Sequence, residues 1–127
     1  MIDNETEIFN AVAIKLREKF PGIYVVGTEL VSAPPQFPAV SLVQANNAIQ
    51  GQYSTFTSLE NVVKEDYKAE VVSNLITGKE AQTKEITAVI SDVMSEFYYE
   101  RTFCEPIPNA DATIHRRMSR YTNRNVI

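Results

Sequence analysis

Cysteine, histidine and tryptophan are almost absent from this chain of 127 residues, which has one cysteine (Cys104), one histidine (His115) and no tryptophan. A single cysteine excludes an internal disulfide framework and a cysteine-based zinc cluster, and a single histidine excludes a multi-histidine metal site. No apolar run approaches the roughly 20 residues that a membrane-spanning helix needs. The N-terminal residues also lack the basic and apolar regions of a signal peptide. We therefore expect a chain that folds in a reducing cytosol, associates with no membrane and holds no metal or other cofactor.

The length and composition predict one domain spanning residues 1–127. Single domains commonly contain about 100–150 residues. Hydrophobic residues make up 44% of the chain, and only 4 glycines and 6 prolines are present. These values exclude a disordered chain and a collagen-like fibre.

Two segments have the hydrophobic spacing of amphipathic helices. The first is predicted over Asn4–Phe20 and ends at Pro21-Gly22, because proline and glycine interrupt a helix. The second is predicted from Lys79 to about Tyr99. We expect Val89, Val93 and Phe97 of its apolar stripe to pack on the strand residues Val40, Leu42 and Val71.

Runs of β-branched and aromatic residues predict the strands. The first two are expected to pair antiparallel, and the third is expected to place Tyr67, Ala69 and Val71 on its buried side and Glu70 on its solvated side. The whole pattern predicts an α+β fold, in which two amphipathic helices pack on one face of a mostly antiparallel sheet of four or five strands. The predicted strands are Ile23–Val26, Ala39–Val43, Val63–Leu75, Arg101–Glu105 and Ala112–Tyr121.

Residues 46–61 have no hydrophobic period and predict a long loop or arm. Connections of this length in compact domains are usually functional or mobile. The segment carries Tyr53 and Phe56, which are large apolar side chains for a solvated loop. Two interpretations remain open at this point: the rings pack back on their own domain, or they contact a neighbouring subunit.

Charge is segregated along the chain. Residues 1–100 have seven Lys/Arg and fourteen Asp/Glu, whereas residues 101–127 have five Arg and two Asp/Glu. An acidic chain with a short basic tail is a poor candidate for a nucleic-acid-binding protein. Arginine favours fixed, bidentate contacts with carboxylates. The tail therefore forms either a polar strand face or an interface with a partner, and the residues concerned are Arg116, Arg117, Arg120 and Arg124.

The reactive side chains form no catalytic pattern. His115 lies among arginines on a predicted strand, and Cys104 lacks the surrounding signature of a thiol nucleophile. Asp66 and Glu70 could bind a divalent ion, but alternating charges on a strand usually form its solvated face. Gly78 lacks the further glycines of a phosphate-binding loop. We therefore predict a protein that is not an enzyme and has neither catalytic nor metal-ligating residues.

Six short motifs follow one another along the chain, and the closing pattern of Arg116, Arg120 and Tyr121 is the most distinctive. The motifs before it are Phe20-Pro21-Gly22, Phe37-Pro38-Ala39-Val40-Ser41-Leu42-Val43, Ala69–Asn74, Gly78-Lys79 and Pro108-Asn109-Ala110-Asp111. With these motifs, the chain over about residues 8–122 resembles the tail-completion or tail-terminator proteins, also called minor capsid proteins, from the head–tail junction of long-tailed phages.

The resemblance implies a structural subunit of the virion that has a mixed α/β fold and is assembled in the host cytoplasm. Such subunits form a ring, expected to be a hexamer, that terminates the tail tube and joins it to the head. The implied partners are further copies of the chain, the tail tube protein and a head-completion or connector protein. DNA would pass through the channel without specific binding, which suits an acidic chain.

The candidate contacts with neighbouring subunits or partners combine the loop aromatics with the tail. They are Tyr53, Phe56, Arg116, Arg117, Arg120, Tyr121 and Arg124. Three alternative functions remain: a head-completion or stopper protein of the same junction, a small-ligand-binding module, and a nuclease-like hydrolase.

Overall fold

A computed structural model describes residues 5–30, 34–49, 62–109 and 113–126. The elements follow the predicted order and form a five-stranded mixed, mostly antiparallel sheet with two helices. The predicted α+β fold is therefore confirmed. The elements are α1 (Glu5–Lys19), β1 (Tyr24–Val26), β2 (Ala39–Ile49), β3 (Val62–Ser73), α2 (Lys79–Glu96), β4 (Glu100–Ile107) and β5 (His115–Val126).

Both helices pack on one face of the sheet. Ile8, Val12 and Leu16 of α1 are completely buried, as their spacing of four residues predicts. They share one core cluster with Ile86 and Ile90 of α2. Acidic residues in the first turn of α1 and basic residues in its last turn also complement the helix dipole. The core lies between these two helices and the sheet.

The apolar stripe of α2 faces the sheet as predicted, but its burial varies. Val93 is buried in the same cluster as the predicted strand partners Val40, Leu42 and Val71. Val89 and Phe97 are only partly buried and pack against the edge of that cluster. The central positions, Ile86 and Ile90, are the completely buried ones.

The strand order is β1-β2-β3-β5-β4, and β1 pairs parallel to β2. The predicted antiparallel pairing of these two strands is therefore wrong. Tyr24 lies opposite Ala39, so the first residue of one strand is beside the first residue of the other. The connection over residues 27–38 is long enough to return the chain to the starting end of β1, as parallel pairing requires.

Strand β2 continues to Ile49, well beyond the predicted end at Val43. The predicted loop therefore does not begin at residue 46. Residues 46–49 pair with β3 from Asn46 opposite Asp66 to Ile49 opposite Val63, after an irregularity in the register at Gln44/Asn46. The backbone ladder can extend a strand through a polar segment that has no hydrophobic period. The rest of the predicted arm, including Tyr53 and Phe56, lies outside the described residues.

Strand β4 extends through Pro106 and Ile107, beyond the predicted end at Glu105. Pro106 lies opposite Arg117 in the pairing with β5. A proline is tolerated here because β4 is at the edge of the sheet, where one side of the strand has no ladder to donate to. Strand β5 likewise starts later and ends later than predicted.

The face of the sheet that lies away from the helices has its own small core. Ala39, Val72 and Ile114 are buried there, and Tyr24, Leu30 and Phe37 pack against them. Leu30 and Phe37 belong to the connection between β1 and β2. This connection therefore covers part of the second face, and polar side chains beside it become buried.

Candidate assembly surfaces

Arg116 is buried within its own subunit. It is 6% exposed on the second face of the sheet, and its Nη1 lies 2.6 Å from the Glu70 Oε2. Its Nε donates a hydrogen bond to Asn109 Oδ1 at 2.9 Å. In the described subunit, Arg116 pairs with a carboxylate of β3 in the same chain, whereas the sequence predicts a carboxylate of a partner. The partner contact stays a prediction.

Glu70 is also not on a solvated face, since it is 7% exposed. Lys68, two residues earlier on β3, lies 3.9 Å from the Glu70 Oε1 and also forms an ion pair with Glu29. Glu29 belongs to the connection between β1 and β2. The network links this connection to β3 and β5, so its role is to hold the second face together.

Arg117 is buried on the opposite, helix-covered face. It pairs with the core residue Val71 and is 7% exposed. Its Nη1 lies 3.8 Å from Cys104 Sγ, and its Nε has no hydrogen-bond partner among the described residues. The β-strand alternation places this side chain on the helix-covered face, where little of it is exposed in the described subunit. The contact of Arg117 with a partner stays a prediction.

Tyr121 is a core residue. It is 1% exposed, and its hydroxyl lies 2.9 Å from the Ser91 hydroxyl of α2. Burial raises the pKa of Tyr121 above its ordinary value. Its ring fills the space between sheet and helix, and the expected contact of Tyr121 with a partner stays a prediction.

Arg120 is the predicted contact residue whose side chain is both described and exposed. It lines a cavity of about 330 Å³ with Asp66, Thr102 and Thr122. The Thr122 hydroxyl donates to Asp66 Oδ1. The structure does not describe the side chain of Arg124. Arg120 is therefore the arginine among the predicted contacts that can be placed on this surface.

A buried polar cluster at the end of the core was not predicted. Glu65 is completely buried, and the Tyr99 hydroxyl donates to its Oε2. The Gln44 amide contacts Glu65 Oε1 at 3.5 Å and the Tyr67 hydroxyl at 3.2 Å. The Tyr67 and Tyr99 rings meet edge to face, with centroids 5.3 Å apart. The cluster ties β2 and β3 to the segment between α2 and β4.

A basic cavity lies at the start of α2. Its volume is about 580 Å³, and its lining includes Ile76, Lys79, Lys84 and His115. Glu80 also lines it and forms an ion pair of 3.5 Å with Lys84. Ile76 is 98% exposed, which is unusual for a large apolar side chain. The cavity thus combines an apolar contact with two ammonium groups.

We expect the imidazole of His115 to have a pKa below the ordinary value of 6.5. Partial burial lowers the pKa of His115, as do the positive charges of Arg117, Lys79 and Lys84, while Glu80 raises it. A histidine with a lowered pKa stabilises the fold above pH 6.5, and this contribution is lost as the pH falls through the lowered value. An NMR titration of the imidazole C2 proton measures it without assignment, because the chain has one histidine.

Two variants provide controls for this titration. Glu80→Gln removes the negative charge near His115, so the pKa should fall further. Lys79→Gln removes a positive charge, so the pKa should rise towards 6.5. A wild-type value at or above 6.5 contradicts the prediction.

The described residues contain no group of three or more histidine, cysteine, aspartate or glutamate side chains that could hold a metal ion. Within the same residues, neither helix has the length and apolarity needed to cross a bilayer. Neither a family model nor a curated protein matches the chain.

Proposed function

We propose that the protein is a structural subunit of the head–tail junction of a long-tailed phage, where a ring of subunits terminates the tail tube and joins it to the head. The proposal rests on the resemblance over about residues 8–122 and on one feature of the sheet. The mixed α/β subunit that the resemblance implies is consistent with the observed fold. The feature of the sheet is its narrow end.

At one end, among the described residues, the sheet contains only three strands, which extend beyond the rest of the sheet. The proposal depends mainly on this extension. Residues 48–49, 62–64 and 124–126 pair beyond the buried Glu65, and we call them the ribbon. Neither edge strand reaches it: β4 begins at Glu100, opposite Thr122, and β1 pairs only with Ala39–Ser41. The ribbon leads into residues 50–61, the centre of the predicted arm.

A ribbon of this kind suits assembly. Two to three residues of each strand extend about 7–10 Å beyond the core. Pairing in the ribbon holds the two ends of the arm segment at a fixed place on the subunit. Tyr53 and Phe56 would then act as aromatic anchors on a neighbouring subunit or on the tail tube, since such anchors often dominate binding energy.

Purified protein added to growing tail tubes tests the proposal. We expect a ring at one end of each tube by electron microscopy, and tubes that stop elongating. Tubes that elongate normally with bare ends contradict a terminator. Binding to filled heads without any effect on tube growth identifies a head-completion protein instead.

Two variants make the test specific. Deletion of residues 50–57 should leave a folded subunit, by circular dichroism, that no longer stops tube growth. Arg120→Glu reverses an exposed charge and should weaken assembly without unfolding the chain. Arg117→Glu is unsuitable for this purpose, because it would bury a carboxylate under α2.

A further inference from the structure

The turn that ends α2 holds a tyrosine in a conformation that favours glycine. Tyr98 has a φ of 66°, in the left-handed region that bulky residues rarely adopt. The Tyr98 N–H donates to the Ser95 carbonyl, and the Tyr99 N–H to the Met94 carbonyl, both at 2.9 Å. Glycine is the usual residue at this position of a helix end. Burial of the Tyr98 ring does not offset the strain of this conformation within the described fold, because the residue is 84% exposed.

Two further features of this turn oppose local stability. Glu96 is the last residue of α2 and Glu100 the first of β4, and both are exposed. The last turn of α2 has no basic residue, although cations are the favourable charge at the negative end of a helix. Local choices that disagree with the fold are expected at functional sites. We call Tyr98, Glu96 and Glu100 the knob.

The other end of α2 has the complementary properties. The cavity of about 580 Å³ there presents Ile76, Lys79 and Lys84. It is large enough for a tyrosine ring, and the exposed Ile76 offers that ring an apolar contact. The two ammonium groups of Lys79 and Lys84 are opposite in charge and equal in number to the two carboxylates of the knob, although Glu80 already forms an ion pair with Lys84.

We propose that the knob of one copy of this chain inserts into the basic cavity of the next copy. Tyr98 would pack on Ile76, while Glu96 and Glu100 would approach Lys79 and Lys84. The two surfaces lie at opposite ends of an 18-residue helix, about 27 Å apart. They are different patches, so the contact is head-to-tail and each copy keeps one surface for the next neighbour. The inference rests on the proposed function for its context, a ring of identical subunits.

Tyr98→Gly separates this contact from the stability of the subunit. Glycine fits the left-handed turn without strain, so the melting temperature should rise by about 2–5 °C. The self-association constant, measured by analytical ultracentrifugation, should weaken at least about tenfold. Ile14→Ala is the matched control, because it removes another exposed apolar side chain, 64% exposed, from neither surface. It should leave association unchanged.

Charge reversal tests the pairing of the two surfaces. Glu96→Lys/Glu100→Lys makes both surfaces of a subunit basic, and Lys79→Glu/Lys84→Glu makes both acidic. Each double variant alone should fail to associate, whereas a 1:1 mixture should associate because every contact regains opposite charges. Mixing that restores nothing overturns the pairing.

The outcomes distinguish this inference from the proposed function. A wild-type chain that remains monomeric up to about 1 mM, or a Tyr98→Gly variant that associates like the wild type, overturns the inference. Rings on tail tubes that persist with Tyr98→Gly overturn it while supporting the proposed function. Association that follows the charge rules in a protein without effect on tail tubes supports the inference and contradicts the proposed function.

Discussion

Replacing Arg116 by methionine should lower the free energy of unfolding by about 3–5 kcal/mol. The change leaves the Glu70 carboxylate buried without the guanidinium that lies 2.6 Å away. Removing one partner of a buried ion pair is costly because the remaining charge has lost both water and its counterion. Lys68, 3.9 Å from Glu70, can compensate in part, so the lower end of the range is expected. Urea unfolding monitored by circular dichroism measures the change.

Arg120→Met is the matched control for this experiment. Arg120 lies four residues further along the same strand face, but it is exposed. Its replacement should change the free energy of unfolding by less than about 0.5 kcal/mol. Combining Arg116→Met with Glu70→Leu should recover much of the loss, because the buried charge is then gone. Equal effects of Arg116→Met and Arg120→Met would show that the ion pair contributes nothing.

Ile90→Ala should also be strongly destabilising, by about 2–5 kcal/mol. Ile90 is completely buried in the main core, where it lies with residues of both helices and the sheet. The truncation removes apolar contacts and leaves a cavity that close-packed neighbours fill only partly. Denaturant unfolding at low protein concentration gives the value for the isolated subunit.

Ile14→Ala makes the same chemical change at an exposed position of α1, and it should cost less than about 0.5 kcal/mol. Phe97→Ala should now cost less than the roughly 3–5 kcal/mol of a fully buried phenylalanine, because Phe97 is only partly buried. An Ile90→Ala variant as stable as Ile14→Ala would mean that α2 packs on the sheet through another face.

Local patterns predicted the helices and the order of the elements. The spacing of Ile8, Val12 and Leu16 depends only on residues close in sequence, and so does the stripe around Ile90. The chain-breaking pair Pro21-Gly22 follows the end of α1 in the same way. These patterns depend only on neighbouring residues, so they can be recognised from the sequence alone.

The features that the sequence did not predict depend on contacts between residues that are distant in the chain. The direction of β1 depends on where the connection over residues 27–38 takes the chain. In the sequence, Arg116 and Arg117 look like exposed charges. In the fold, Arg116 lies on the face that the connection partly covers, and Arg117 lies on the face that the helices cover. The carboxylate that pairs with Arg116 is 46 residues away in sequence. Nothing in the alternation of β3 distinguished Glu70 from a solvated glutamate.

The proline in β4 has a consequence for how the subunit behaves at high concentration. An open strand edge invites another chain to add a strand, and repeated addition produces aggregates rather than a closed assembly. Pro106 offers no N–H to an incoming strand, and Glu100, Arg101 and Glu105 place exposed charges along the eight-residue edge. Two copies that meet edge to edge would therefore leave hydrogen bonds unmade and draw charged side chains out of water. This edge keeps the sheet from growing sideways, which leaves other surfaces to determine how many copies associate.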